Sequence, residues 1–134
     1  MMMEEAKRVF VVCSDLMFSG GIRAEGSSQG ILLEFIDSEE RFQEALDSFR
    51  VTLFMSDLHH HKLGGERAGE LVKKLKASEK NKDAHTIAWG KHTEPELLKS
   101  AMRAGFDKVV PRSLFVKEMP GYIRQAARGI QVSE

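Results

Sequence analysis

Short runs of apolar residues alternate with amphipathic segments along the chain. The apolar runs are rich in β-branched and aromatic residues: VFVVC (9–13), ILLEFI (31–36), VTLFM (51–55), HTIAW (85–89) and DKVVP (107–111). Nearly continuous apolar runs of this length are typical of strands that are covered on both faces, because both faces then lie in the core. The pattern therefore predicts five buried β-strands.

The segments between and after these runs place apolar residues at helical spacing. This spacing predicts helices over residues 16–25, 39–49 and 66–78, from Pro95 to a stop at Gly105, and over 116–128. Thr93 is the expected N-cap of the fourth helix, and Asp37 or Ser38 that of the second. Pro120 fits the fifth helix only in its first turn, because proline lacks the N–H that an interior position donates.

Strand and helix alternate five times along the chain. Such an order joins parallel strands by right-handed helical crossovers, and it predicts an α/β fold with a three-layer, doubly wound five-stranded parallel sheet. Ligands of these sheets bind beyond the carboxyl ends of the strands. The residues to consider are therefore those that close the strands: Ser14, Asp15, Asp57, Gly90 and Arg112.

Length and charge narrow the class of protein. The 134 residues suit one domain, and we expect no separate output domain. The 20 basic and 20 acidic side chains cancel, so no overall field draws the chain to nucleic acid or to an anionic membrane. Cys13 is the only cysteine, which excludes an intrachain disulfide and favours a reducing cytoplasm. No run reaches the roughly 20 apolar residues of a membrane span, so we expect a cytoplasmic protein.

Two of the strand-end residues are carboxylates. Asp15 and Asp57 are expected at one edge of the sheet, with Arg112 as the nearby cation. Clustered carboxylates repel one another unless a cation neutralises them, and Mg²⁺ prefers carboxylate, carbonyl and water oxygens. A carboxylate so placed can also attack a phosphoryl group. Structural alternatives stay open: Asp57 in a turn, Asp15 as a helix N-cap, and a salt bridge between Arg112 and Asp57.

Three adjacent histidines follow Asp57 in the stretch SDLHHHKLGG (56–65). Zinc needs three or four convergent ligands, and adjacent residues of an extended loop point to alternate sides. Only His59 and His61 would then converge, with Asp57 as a third ligand. We therefore interpret the triplet as part of a solvated loop rather than as a transition-metal site.

These motifs resemble the receiver domain of bacterial response regulators, over about residues 7–128. Ser14 and Asp15 stand at the family's acidic pair, and Asp57 stands at its phosphoacceptor. Gly65, eight residues on, matches the family's glycine, and SAMRAGFDKVV (100–110) is similar to its fourth helix and fifth strand. The resemblance implies a flavodoxin-like sheet of order 2-1-3-4-5.

The resemblance is incomplete at the site. Ser14 replaces one acid of the pair, and Gly90 falls where the family has a hydroxyl that bonds the phosphoryl oxygen and moves on activation. Thr86 or Thr93 would supply that hydroxyl only after a register shift. Arg112 replaces the family's lysine, and no proline follows it, since Ser113 does. These departures favour a pseudo-receiver.

Three hypotheses follow from the resemblance. In the first, the chain is a non-enzymatic signalling domain that acts through protein contacts, with weak or no dependence on phosphorylation. In the second, a histidine kinase or phosphotransfer protein phosphorylates Asp57, with Mg²⁺ held by Asp15, Asp57 and the His59 carbonyl. The third is a small flavodoxin-like cofactor binder, although CSDLMFSGG (13–21) is a poor phosphate loop.

The resemblance also implies where partners bind. Stand-alone receivers use the surface of the fourth helix, fifth strand and fifth helix for protein partners, and a homodimer stays open as a separate alternative. Here it would contain Lys99, Arg103, Lys108 and Tyr122. The basic stretch LVKKLKASEKNK (71–82) lacks interleaved aromatic residues, so we interpret it as a solvated helix end and expect no nucleic-acid partner.

Overall fold

A computed structural model describes residues 6–128. Strands and helices alternate, as predicted, in the order β1 (Lys7–Val12), α1 (Leu16–Ser28), β2 (Leu33–Phe35), α2 (Glu39–Ser48), β3 (Arg50–Asp57), α3 (Glu66–Ala77), β4 (His85–Gly90), α4 (Pro95–Ala104), β5 (Lys108–Pro111) and α5 (Arg112–Ala127). In this part of the chain, no helix has the length and apolar character needed to cross a membrane.

The five strands form one parallel sheet in the order β2-β1-β3-β4-β5. Helices α2, α3 and α4 pack on one face, and α1 and α5 on the other, so the sheet separates two apolar clusters. The central strand β3 serves both clusters, because Phe54 faces one and Met55 the other, and neither is exposed. This explains its continuous apolar sequence, and the predicted fold class is confirmed.

Helix α5 differs from its prediction. It begins at Arg112, four residues earlier than expected, and Pro120 therefore lies in its interior. A proline there costs about 3 kcal/mol, because it removes a backbone donor and crowds the preceding turn. Burial of Phe115, Met119 and Ile123 on the same face offsets that cost, and the Pro120 carbonyl accepts a bond from Gln29 Nε2 at 3.2 Å. Tertiary packing outweighs local propensity here.

The predicted helix caps are partly correct. The Ser38 hydroxyl accepts from the Arg41 N–H at 3.0 Å and caps α2. Gly105 ends α4 with a φ of +124°, a conformation that favours glycine. The N-cap of α4, however, is Glu94 rather than Thr93, and its side chain makes no capping bond. That helix depends instead on Pro95 in its first turn.

Candidate functional site

Asp57 closes β3 and lies at the carboxyl edge of the sheet, with 6% of its surface exposed. Its Oδ2 accepts from the Ser14 hydroxyl at 3.1 Å and from the Ser14 N–H at 3.4 Å. Its Oδ1 accepts from the His59 N–H at 2.9 Å. Ser14 reaches Asp57 because β1 and β3 are neighbours, with Val12 opposite Ser56. Asp57, which was predicted to lie beside Asp15, is thus hydrogen-bonded to its neighbour Ser14.

Asp15 has a different role from Asp57. Its Oδ1 accepts from the Phe18 N–H at 2.9 Å and caps α1, and its Oδ2 accepts from Arg112 Nη2 at 2.5 Å. The Phe18 N–H, followed by the Arg112 guanidinium, holds the pKa of the Asp15 carboxyl below its usual value. The N-cap alternative is therefore confirmed. The alternative salt bridge between Arg112 and Asp57 is not formed, because Arg112 pairs with Asp15.

This ion pair affects the predicted magnesium site. Both Asp15 oxygens already have partners, and Ser14 offers a neutral hydroxyl where a second acid would add charge. Within residues 6–128, no three His, Cys, Asp or Glu side chains converge so as to hold a metal ion. As arranged, these residues fit Mg²⁺ poorly, since it prefers several carboxylate or carbonyl oxygens. The set of Asp15, Asp57 and the His59 carbonyl stays a prediction.

Gly90 ends β4 beside the ring of His59. Nε2 of His59 accepts a bond from the Lys91 N–H at 3.0 Å. A Cβ added at Gly90 would lie 3.3 Å from that Nε2 and 3.1 Å from Leu98 Cδ2. The imidazole ring of His59 therefore borders the space beside Gly90, which is the position where receiver domains have their hydroxyl group. The sequence placed His59 in the loop but offered no signal that its ring would turn toward β4.

Thr86 does not supply the missing hydroxyl. It is buried near the start of β4, at the opposite end of the strand from Gly90, and its Oγ1 donates to Asp107 Oδ2 at 2.9 Å. Burial raises the pKa of Asp107, but bonds from Lys76 and Thr86 outweigh this effect and hold it below its usual value. This cluster joins α3, β4 and the loop before β5. It is structural and lies away from Asp57.

The histidine triplet is more ordered than a solvated loop. His60 is only 6% exposed, and its Nδ1 accepts from the N–H groups of Lys62 and Leu63 at 3.1 and 3.0 Å. Its ring stacks on that of His61 at 4.7 Å. Burial, with a smaller effect of His61, lowers the pKa of His60. The solvated-loop interpretation is wrong for His60, because this side chain closes the turn from within.

An aromatic cluster lies under the same edge. Trp89 stacks on Phe115 with centroids 4.0 Å apart, and the edge of Phe18 meets both rings. The Arg112 guanidinium lies 5.5 Å from the Phe18 ring. Burial raises the pKa of Cys13, which keeps its thiol protonated. The edge therefore has aromatic rings below it and charged side chains above.

The predicted partner surface is basic. Tyr122 is largely buried, its hydroxyl donates to Glu118 Oε1 at 2.8 Å, and Lys108 Nζ lies 3.8 Å from the same oxygen. A shallow groove beside them adds Lys117, Arg124 and Arg128. Lys99 and Arg103 lie on α4, where they are exposed. Tyr122 therefore lies beneath this surface and contributes little of its exposed area.

Comparisons with known proteins identify the fold. No protein-family model matches the sequence, and no curated protein matches it significantly. Among solved structures, the signal receiver domain of a histidine kinase from Syntrophus aciditrophicus has a TM-score of 0.74 at 14% identity, covering 96% of this chain and 95% of its own.

Two further similar structures contain a divalent metal ion. The receiver domain of a sensor histidine kinase from Pseudomonas aeruginosa, with a magnesium ion in its active-site cleft, has a TM-score of 0.72 at 14% identity, covering 93% of this chain and 99% of its own. A response regulator from Burkholderia pseudomallei, with a phosphorylated aspartic acid, calcium and citrate, has a TM-score of 0.69 at 15% identity, covering 92% and 69%.

The fold and these comparisons define an α/β protein with the receiver fold. The sheet order β2-β1-β3-β4-β5 with five helices is the arrangement that the resemblance predicted. The predicted resemblance to response-regulator receiver domains is therefore confirmed for the fold. At these sequence identities the comparisons assign no role to individual residues.

Proposed function

We propose that this protein is a receiver-like signalling domain that acts through protein contacts and depends weakly or not at all on phosphorylation of Asp57. One observation carries the proposal: within residues 6–128 Asp57 forms no ion pair, because the Arg112 guanidinium bonds Asp15 instead. We propose that it acts without catalysis, as a cytoplasmic protein.

The electrostatics of phosphoryl transfer explain why this matters. The Asp57 carboxylate would have to approach a phosphoryl group that also carries negative charge. Catalysis of that step requires positive charge placed where the negative charge collects. Ser14 and the His59 N–H donate hydrogen bonds to Asp57, but neither carries a formal charge there. The transfer is therefore expected to be slow.

The second candidate is a working phosphorelay receiver, and the presence of Asp57 at the edge of the sheet favours it. An oxygen of Asp57 would form a bond to phosphorus while the bond from phosphorus to the donor's oxygen or nitrogen breaks. The donor keeps that electron pair, and the product is an acyl phosphate. In this case Arg112 would have to leave Asp15 and turn toward the phosphoryl group.

Intact-mass spectrometry separates the two candidates. The protein is incubated with Mg²⁺ and an acyl-phosphate donor, and is compared with its Asp57→Asn and Asp83→Asn variants. Asp83 is an exposed carboxylate outside the site and is the matched control. We expect no stable gain of one phosphoryl mass. A gain that Asp57→Asn removes and Asp83→Asn retains would overturn the proposal and establish the phosphorelay function.

The partner is proposed to contact the surface formed by α4, β5 and α5. Its cations support this choice, because Lys117, Arg124 and Arg128 have no ion-pair partner within the described part of the chain. The chain as a whole has no net charge, so the positive charge on this surface is a local concentration. We therefore expect a protein partner with acidic side chains, bound in an orientation that electrostatic complementarity sets.

A further inference from the structure

His59 connects Asp57 to the loop that follows β4. Its backbone N–H donates to Asp57 Oδ1 at 2.9 Å, and its ring Nε2 accepts from the Lys91 N–H at 3.0 Å. An Nε2 that accepts a hydrogen bond carries no proton, so the neutral ring has its proton on Nδ1. These two bonds, which we name the His59 latch, join the ends of the neighbouring strands β3 and β4.

The ring and Gly90 are matched in size. A Cβ at Gly90 would meet Nε2 of His59 at 3.3 Å and Leu98 Cδ2 at 3.1 Å, both tighter than ordinary van der Waals contact. Gly90 has no positive φ that would require glycine. A side chain at position 90 would therefore press on Leu98 and on the ring of His59, and glycine avoids both contacts.

We propose that His59 is a positioning residue whose ring occupies the space left by the hydroxyl missing at Gly90. Its ring holds the Lys91 amide, and with it the loop between β4 and α4, while its backbone N–H responds to the state of the Asp57 carboxylate. The coupling to Asp57 rests on the second candidate function, in which Asp57 is phosphorylated. The bond between His59 and Lys91 does not depend on either candidate.

The coupling has a simple physical basis. A carboxylate is a strong acceptor for the His59 N–H, and any change that removes its charge weakens that bond. His59 is held by two hydrogen bonds, one to Asp57 and one to the Lys91 N–H. When the bond to Asp57 weakens, the His59 ring gains freedom and its bond to the Lys91 N–H weakens too. The loop at the start of α4 would then move when Asp57 changes.

Hydrogen exchange at the Lys91 amide tests the latch in the unmodified protein. His59→Ala removes the acceptor, and we expect exchange at Lys91 to rise about tenfold, as for the loss of one hydrogen bond. His59→Gln is the rescue, because its side-chain oxygen reaches about as far as Nε2, and exchange should stay near wild type. His61→Ala is the matched control. Equal exchange in His59→Ala and wild type would overturn the proposal.

A double substitution tests the competition for space. Gly90→Ser alone should lower the urea midpoint, because the new side chain presses on the ring of His59 and on Leu98. In the His59→Ala background the same change should lower it much less, and the new hydroxyl should restore part of the protection at Lys91. Neighbouring groups show such non-additive effects when they share space. Additive shifts of the midpoint would overturn the size match.

The coupling to Asp57 is tested separately. Asp57→Ala removes the acceptor of the His59 N–H without any phosphoryl donor, and we expect faster exchange at Lys91 while amides of α2 stay unchanged. Unchanged exchange at Lys91 would overturn the coupling. A failure of phosphoryl uptake by the wild-type protein leaves these expectations intact, since all of them concern the unphosphorylated chain.

Discussion

Arg112 donates to Asp15 at a distance of 2.5 Å, and this bond decides the electrostatics of the site. The two residues come from the start of α5 and the N-cap of α1, which lie on the same face of the sheet. Because Asp15 also caps α1, its carboxylate is held from two sides. The cation that would neutralise Asp57 is thereby committed elsewhere.

Arg112→Ala should raise the pKa of Asp15. The Phe18 N–H bond remains, so the value should rise toward that of a free aspartate without reaching it. An NMR titration of the Asp15 carboxyl carbon measures this shift, with Arg128→Ala as control because Arg128 lies at the far end of α5. The same pKa in Arg112→Ala and wild type would show that the ion pair does not exist in solution.

Stability should fall as the pH decreases below about 6.5, in part because of His60. Burial lowers the pKa of His60, so the unfolded chain takes up a proton at a higher pH than the folded chain does. Stability is therefore fully present above the unfolded pKa and is lost as the pH falls toward the folded pKa. Urea unfolding at a series of pH values measures this loss. His85 is expected to add to it, since burial lowers its pKa too.

His60→Asn isolates that contribution. The asparagine side-chain oxygen stands near the place of Nδ1, so it can accept from the Lys62 and Leu63 N–H groups without titrating. The slope of stability against pH between about 4 and 6.5 should become shallower. His92→Asn, at an exposed position, is the control. A slope identical to that of wild type would contradict the role given to His60.

Asn81→Ala should cost about 2–4 kcal/mol of unfolding free energy, because it leaves buried polar groups without partners. Asn81 is 1% exposed; its Oδ1 accepts from the Val51 N–H at 2.9 Å, and its Nδ2 donates to the Leu46 and Phe49 carbonyls at 3.1 and 3.3 Å. Chemical denaturation measures the loss. Asn81→Asp should be at least as destabilising, because it turns a buried carboxylate oxygen toward the Leu46 and Phe49 carbonyls.

Phe115→Ala should destabilise the fold by about 3–5 kcal/mol and shift the emission of Trp89. The two rings stack at 4.0 Å, so removal of one leaves a cavity beside the indole and admits water. Tryptophan fluorescence during urea unfolding records both effects. Phe49→Ala, in the other apolar cluster, should change stability but leave the native emission unchanged. A native spectrum unaltered in Phe115→Ala would contradict this packing.

The sequence predicted the fold better than it predicted the site. Strand β3 was predicted correctly because both of its faces are buried, so its sequence is a nearly continuous run of apolar residues. The start of α5 was missed, because Pro120 argues locally against a helix that Phe115 and Ile123 stabilise from the core. At the site, the sequence placed Asp57 beside Asp15, whereas the structure bonds Asp57 to Ser14 and Asp15 to Arg112.

The chain by itself determined which residues gather at the carboxyl edge, since strand ends follow from the apolar pattern and parallel strands bring their ends together. Only the tertiary structure decided their partners. Arg112 has the reach to contact either carboxylate, and the packing of α5 against α1 brings it to Asp15. The ring of His59 turns toward β4 because Gly90 leaves space there and the Lys91 N–H offers a donor. These side-chain contacts depend on distances between neighbouring elements of the fold, which no local pattern of residues encodes.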